Sequence, residues 1–559
     1  MSSYVIGIDY GSLSGRSILA DCVDGRVLAS AVYEYPHGIF DRELPDGTAL
    51  YPDCALQHPQ DYLDVLYETI PALLRESGVS PEDVVGIGVD ATACTVLPVD
   101  RDGRPMCFDR RFASQSQAYI KMWKHHGGQA QADKLTRTAE ALYPELLERF
   151  GGSISAESFF PKLWELWEKA PELYEAMYEY IEVADWIIQQ LSGSFSRNGC
   201  AAGYKAMYQP ESGYPDAKLF HAAGFCPETP IYNKMPSPVI PVGSVAGYLT
   251  PEAAAGLGLM PGTPLAAGLV DAHVCVPAAG ISDTGHMLMI IGTSACHMLM
   301  GRETKTVPGI CGVVAGGIMP GLAGFEAGQS SVGDLYAWFV NNCVPESYFR
   351  QAESRDISIH ALLSRLAAEK RPGESGLIAL DWLNGNRSTL CNYELSGMVL
   401  GLTMQTKCED IYRSLLEATA YGCRAIIENF RLHGVEVERF IASGGISFKN
   451  PFAMQLYADI LKMPVEVIDA QHGPALGSAI FAAVAAGSEN GGYDSIGQAA
   501  GAMKSETLAV YTPNMDNAAL YDALYREYSE LYEHFGRVSQ SMQRLRRLRD
   551  EALGLALTR

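Results

Sequence analysis

A strand, a tight turn of small residues and a returning strand occur twice in this chain, about 280 residues apart. The first copy runs Tyr4-Val5-Ile6-Gly7-Ile8-Asp9, turns through Gly11-Ser12-Leu13-Ser14-Gly15 and returns over Arg16 to Cys22. A hairpin at Asp24-Gly25 leads to a third strand, Arg26 to Tyr33. The second copy runs Met287 to Ile291, turns through Gly292-Thr293-Ser294 and returns over Ala295 to Met300. Helix and strand follow each copy. After the first come a helix from Pro59 to Ser77, with Asp61 as its expected N-cap, and an apolar strand, Val84 to Asp90. After the second come a helix from Cys408 to Leu432, a strand Arg439 to Ala442, and the turn Ser443-Gly444-Gly445. A helix Pro451 to Leu461, a strand Val465 to Ile468 and an Ala-rich helix Ala475 to Ala486 complete it. A period this long excludes a solenoid and predicts a duplicated α/β architecture, with a boundary near 280–285. Residues 113–190 read as mostly helical, with Trp164 and Trp167 as core packing.

Composition narrows the partners. The 559 residues hold 42 basic and 65 acidic side chains, a net charge of −23, which argues against a nucleic-acid backbone as ligand. Phosphate remains open, because backbone N–H groups bind it without net positive charge. Thirteen scattered cysteines, with no C-x-x-C pair, make a disulfide framework or zinc site unexpected and point to a reducing cytoplasm. A strand pattern from Tyr4 onward leaves no room for a signal peptide, and the apolar runs are too interrupted for a membrane span. His125 and His126, being adjacent, cannot share a helix face and read as surface residues. The basic stretch Arg544 to Arg549 reads as a solvated helix face.

Neither a P-loop, nor H-E-x-x-H, nor a G-x-S-x-G elbow is present. What stands out is three Gly-rich turns after strands, at 9–15, 292–294 and 443–445, where N–H groups can approach an anion closely. Two of them at matching places in a duplicated fold suggest a polyphosphate gripped from both sides. Asp9, ending a strand beside the first turn, suits Mg²⁺ attraction. Asp271, inside the apolar run Gly268-Leu269-Val270-Asp271-Ala272-His273, suits proton abstraction.

These features resemble one family along nearly the whole chain. Segments 7–16, 55–62, 159–164 and 202–206 carry the resemblance, with 292–298, 325–330, 381–387, 397–417 and 442–451 continuing it. The chain resembles the FGGY carbohydrate kinases. The resemblance implies a two-domain, actin-like (ribonuclease H-like) α/β ATPase fold with an interdomain cleft. A sugar-binding domain is expected over 1–281, an ATP-binding domain over 282–535 and a helical tail over 536–559. It implies ATP-dependent phosphorylation of the terminal hydroxyl of a ketopentose, L-ribulose, in arabinose catabolism, with Mg²⁺ as cofactor and a cytoplasmic homo-oligomer, a dimer, as the working form. It maps phosphate contacts onto Gly11, Ser12, Leu13, Gly292, Thr293 and Ser294, and adenosine contacts onto Gly444, Gly445 and Asn450. Asp271 takes the general-base position, Asp9 and Asp271 the metal, and Ala93, Lys205, Asp271 and Glu326 the sugar. Ser114 to Gln117, Ala315 and Gln471 to Pro474 depart from the family pattern. Rival readings are a family member acting on D-ribulose, xylulose or glycerol, an actin-like chaperone or filament ATPase, and a silent sugar sensor.

Overall fold

The computed structural model describes residues 3–469 and 471–553. Its frame is two seven-stranded sheets. The first contains β1 (Tyr4–Tyr10), β2 (Ser14–Asp21), β3 (Val27–Glu34), β4 (Val84–Ala91), β5 (Val245–Tyr248), β6 (Pro264–Ala266) and β7 (Leu269–Val270). Its order is β3-β2-β1-β4-β6-β5, with β7 also pairing β4. The second contains β8 (His286–Ile291), β9 (Ala295–Gly301), β10 (Gly312–Ala315), β11 (Ala323–Gln329), β12 (Arg439–Ser443), β13 (Val465–Ile468) and β14 (Thr507–Tyr511). Its order is β10-β11-β9-β8-β12-β13-β14.

Six strands of each sheet correspond. β3-β2-β1 and β11-β9-β8 are antiparallel runs, with β10 intervening in the chain between β9 and β11. The next two strands, β4-β6 and β12-β13, run parallel to β1 and β8, and the strands beyond them, β5 and β14, turn antiparallel. The duplication read from the turns therefore extends over six strands, although β5 precedes β6 in the chain where β14 follows β13, and β7 and β10 stand outside it.

Helix α1 (Pro59–Ser77) covers the first sheet. His58, not Asp61, caps it: the His58 ring accepts from the Gln60 N–H at 3.2 Å. Asp61 is instead buried and bonded to the His37 ring at 2.5 Å. The 113–190 region is mostly helical, as expected, but it also carries short strands. Short strands at Leu56–Gln57, Val96–Val99, Ile120–Lys121 and Glu179–Glu182 form a third, four-stranded sheet. The buried Glu165 carboxylate gathers Lys121 and His125 there, at 2.7 and 2.8 Å, so His125 is a core residue rather than a surface one. Only His126 is exposed. Trp164 is buried as expected.

Two helices tie the halves together. α3 (Asp271–Ala278) follows β7, and α7 (Gly473–Ala486), from the second half, lies on β1 and β4 of the first sheet. One apolar cluster accordingly joins Val5 and Ile18 to Val274, Leu288, Met298, Ile441 and Ile480. The close approach of α7 requires glycine beneath it. A Cβ on Gly7 would lie 1.8 Å from the Ala475 carbonyl oxygen, and one on Gly88 2.0 Å from that of Ser478. Gly477 makes the same allowance for the Val274 carbonyl of α3, at 2.1 Å. Small residues in both partners thus let backbone meet backbone without side-chain spacers.

Candidate active site

Both Gly-rich turns are closed in the same way. Gly11 N–H donates to the Ser14 carbonyl at 3.0 Å, and Gly292 N–H to the Ser294 carbonyl at 2.9 Å. Among the described residues, the next two N–H groups of each turn, Ser12 and Leu13 in one and Thr293 and Ser294 in the other, donate to no protein acceptor. Consecutive free N–H groups at a strand end form an anion-binding concavity. Other elements brace each turn. Gln57 donates to the Ser12 carbonyl at 2.8 Å, and the Trp123 indole N–H to the Ser12 hydroxyl at 3.0 Å. The carbonyls of Gly292 and Thr293 accept from Gly333 and Val332.

The second turn adjoins the expected adenosine segment. Gly444, at φ 100°, packs so tightly on Ile291 that a Cβ would fall 2.4 Å from its carbonyl oxygen. Gly445 opens helix α5 (Gly445–Lys449), and a Cβ there would meet nothing within 4 Å. Asn450 has a structural duty as well: its side-chain oxygen caps α6 (Pro451–Leu461) through the Ala453 N–H at 3.1 Å.

Three carboxylates meet at the end of the first sheet. Asp9 stands opposite Asp90 in the parallel β1–β4 pairing, and Leu269 stands opposite Asp90 on the far side. Asp271 begins α3 two residues later, its side chain accepting from the Ala272 N–H at 2.7 Å. Burial, reinforced by Asp9, pushes the Asp271 carboxyl up to about 7. Asp9 is raised by burial too, and Asp90 is raised well above the usual carboxylate range, by burial and then by Asp9. Asp90 is the residue the sequence reading missed. It is fully buried, accepts from the Ser478 hydroxyl of α7 at 2.6 Å and bonds the Asp9 carboxyl beside it.

A second charged group faces this one. Glu326, buried in β11, meets Lys205 at 3.5 Å, His273 at 3.5 Å and Arg387 at 2.6 Å. Burial alone would raise the Glu326 carboxyl, but Lys205, His273 and Arg387 overturn that and hold it well below the usual range. Lys205 sits in α2 (Gly199–Ala206), whose start is fixed by Asn198 accepting from the Ala201 N–H at 2.6 Å. Ala93 packs into the cluster that holds Tyr204, Ala272 and Cys296, beside a Cys94 carbonyl pinned by the buried Lys162 ammonium at 2.7 Å. The structure thus gathers Lys205, Asp271 and Glu326 with Asp9 and groups Gly292 to Ser294 with Gly444 and Gly445, while Ala93 follows the end of β4 by two residues. No hydrogen bond joins the first turn to the second among the described residues.

The donor set at Asp9 and Asp271 is hard oxygen. Mg²⁺ takes one or two carboxylates together with substrate phosphates and water rather than an all-protein cage. That fits two carboxylates beside a turn of free N–H groups, and the described residues hold no cluster of three or more His, Cys, Asp or Glu placed as a protein cage. No helix of the described residues is long and apolar enough to cross a membrane.

Comparison with known proteins agrees with this geometry. A model of the N-terminal domain of the FGGY family of carbohydrate kinases matches residues 4–276, and one of its C-terminal domain matches 287–486. A ribulokinase of Bacillus licheniformis is 50% identical over 539 residues, covering 96% of this chain and 98% of that protein. One from Shouchella clausii is 46% identical over 559 residues, the full length of both. Among solved structures, a xylulose kinase from Rhodospirillum rubrum matches with a TM-score of 0.77 at 25% identity, over 95% of this chain and 98% of that one.

Proposed function

Because the chain belongs to the FGGY family of carbohydrate kinases, we propose that it transfers the γ-phosphoryl group of ATP to the terminal hydroxyl of L-ribulose, giving L-ribulose 5-phosphate for arabinose catabolism. The observation that carries this reading is the position of Asp271. It lies at the acidic end of the first sheet and within electrostatic reach of Glu326 and Lys205. A base with a pKa near 7 is well matched to taking a hydroxyl proton at neutral pH.

In this reading Asp271 accepts the proton of the sugar's terminal hydroxyl while that oxygen attacks the γ-phosphorus. The new O–P bond forms as the bond to the β–γ bridging oxygen breaks, and ADP leaves. Phosphoryl transfer is chiefly positioning and charge stabilisation. The free N–H groups of Ser12, Leu13, Thr293 and Ser294 supply fixed dipoles for the phosphate oxygens. Asp9 and Asp271 would hold a divalent metal, Mg²⁺, which when bound neutralises phosphate charge. Gly444, Gly445 and Asn450 face the adenosine, and Ala93, Lys205 and Glu326 shape the sugar end. A buried ion group made to accept and donate to hydroxyls rejects a substrate lacking them more strongly than an apolar pocket rejects a size change.

The test is ADP release across L-ribulose, D-ribulose, D-xylulose, glycerol and water. Turnover with L-ribulose at least ~10-fold above the others in kcat/KM is expected. Equal or better turnover with xylulose or glycerol overturns the substrate assignment, and peptide-stimulated release without sugar response overturns the kinase.

A further inference from the structure

Arg387 stands on a segment between Trp382 and Asn392 that is itself tightly built. Asn386 and Asn392 exchange backbone bonds at 2.9 and 2.8 Å, and the Asn386 side chain accepts from the Leu390 N–H at 3.0 Å. From this support the guanidinium reaches the middle of β11 and the beginnings of β9 and β10. Nη2 donates to Glu326 Oε1 at 2.6 Å, Nε to Cys311 Sγ at 3.0 Å, and Nη1 approaches Cys296 Sγ at 3.9 Å. The room comes from Gly328: a Cβ there would lie 3.0 Å from both Cδ and Nη1 of Arg387. Lys205 and His273 occupy the other oxygen, Oε2. Among the described residues these are the ion pairs that join a side chain before residue 280 to one after it. The orientation of Glu326 therefore bears on both sugar and lobe contact.

We propose that Arg387 is the positioning residue of sugar recognition: its guanidinium, anchored through Nε on Cys311 and donating through Nη2 to Glu326, fixes the direction of Glu326 Oε1 and leaves the carboxylate's remaining lone pairs to accept a sugar hydroxyl. Lysine at Lys205 is a point charge on a flexible stem and cannot hold Oε1 in one direction, whereas a rigid guanidinium engaged on two edges can. An ionised carboxylate offers about four acceptor sites, so Arg387, Lys205 and His273 do not exhaust Glu326. This inference rests on Glu326 being a sugar contact.

The experiment is steady-state kinetics with L-ribulose and ATP on R387M, R387K and E326Q, with ADP affinity by calorimetry. For R387M, KM for L-ribulose rises at least ~10-fold, kcat at saturation falls much less, and ADP affinity holds. R387K restores charge without the rigid guanidinium and recovers less than half of that loss. An unchanged KM in R387M, or a parallel loss of ADP affinity, overturns the proposal. Should R387M fail to fold, R387K decides: a raised sugar KM with intact ADP affinity supports it, and an unchanged KM overturns it. E326Q separates the premises. If its KM is normal, the Glu326 assignment itself fails; if its KM rises while that of R387M does not, only the role of Arg387 fails.

Discussion

Asp9 and Tyr10 end the first strand of one sheet where Ile290 and Ile291 end the first strand of the other. The hairpin registers set the correspondence, Tyr10 opposite Gly15 and Ile291 opposite Ala295 as the last pairs. Across the parallel partner, Asp9 faces Asp90, whereas Ile290 faces Ser443. The two sheets share spatial order and direction over six strands, and both leave a pair of N–H groups free at the turn. They differ in charge. One end concentrates carboxylates, and the other offers neutral donors. Two identical acidic ends would repel a polyphosphate, and two neutral ends would supply no base and no metal ligand. The halves also differ in where chain has been added. Residues 92–244 separate β4 from β5 and β6 in the first half and deliver Ala93 and Lys205, whereas only α5 and α6 separate β12 from β13. The second half inserts instead between β11 and β12, and there it places Arg387. In the proposed reading the duplicated frame serves the phosphates, and the unequal insertions add Ala93, Lys205 and Arg387 around the frame's own Glu326 at the sugar end.

The sharpest way to break this asymmetry is at its acidic end. Asp271→Asn should lower kcat by at least ~10² while ADP affinity, measured by calorimetry, stays near wild type. Near-normal turnover would remove Asp271 as the base. Asp9→Asn should also cost about 10-fold or more in kcat, with more Mg²⁺ needed for half-maximal rate. At the corresponding position of the neutral sheet, Ser443→Ala should change kcat by less than ~3-fold, the ordinary scale of a lost weak polar contact. If Ser443→Ala proves as damaging as Asp9→Asn, the division of labour is wrong.

A smaller effect separates the sheets by packing. Gly88→Ala drives a Cβ to 2.0 Å from the Ser478 carbonyl oxygen, and backbone cannot yield as a side chain does. Overpacking of this kind destabilises by about 1–3 kcal/mol, so the thermal midpoint should fall by several degrees. Gly445→Ala meets open space and has no positive φ, so its midpoint should not move. An unchanged midpoint for Gly88→Ala would mean that α7 does not seat on the first sheet as closely as described.

Much of this was legible in the sequence because local pattern and tertiary context agree there. Helices Cys408–Leu432 and Pro451–Leu461 and strand Val465–Ile468 have the bounds their periodicity predicts. What failed depends on partners distant in the chain. His125 is buried because Glu165, forty residues on, receives it. Asp61 leaves the capping position because His37 takes its carboxylate. Arg387 acquires meaning only when a loop brings it to Glu326. Asp90 carried a signal that pattern reading could have used: it ends an apolar, glycine-bearing strand just as Asp9 does, and parallel pairing puts two such ends side by side. The glycines of those runs, Gly7, Gly86 and Gly88, mark a face that a helix must approach closely, here α7.

The halves also bury single carboxylates in opposite ways, and pH tells them apart. Glu165, in the first half, is ringed by Lys121, His125 and Lys169 at 2.7 to 2.9 Å. Burial opposes its ionisation, but these neighbours hold its carboxyl far below the usual range. Its contribution is present above the unfolded pKa and is lost only as pH falls through that very low folded value. Asp381, in the second half, forms no ion pair among the described residues. Its side-chain partner is the Gln329 amide at 3.1 Å, its other oxygen is unpaired, and burial pushes it up to about 7. A carboxyl raised on folding stabilises fully below the unfolded pKa of about 3.9, and that contribution is lost as pH rises through 7. Asp381→Asn mimics the protonated form. It should exceed wild type in thermal midpoint at pH 5 already, because pH 5 lies above the unfolded pKa, and the excess should widen by pH 8 by about 1 kcal/mol or more, a few degrees. A midpoint difference that does not change between pH 5 and pH 8 would show that Asp381 titrates as an ordinary exposed acid, and the contrast between the two buried carboxylates would fall with it.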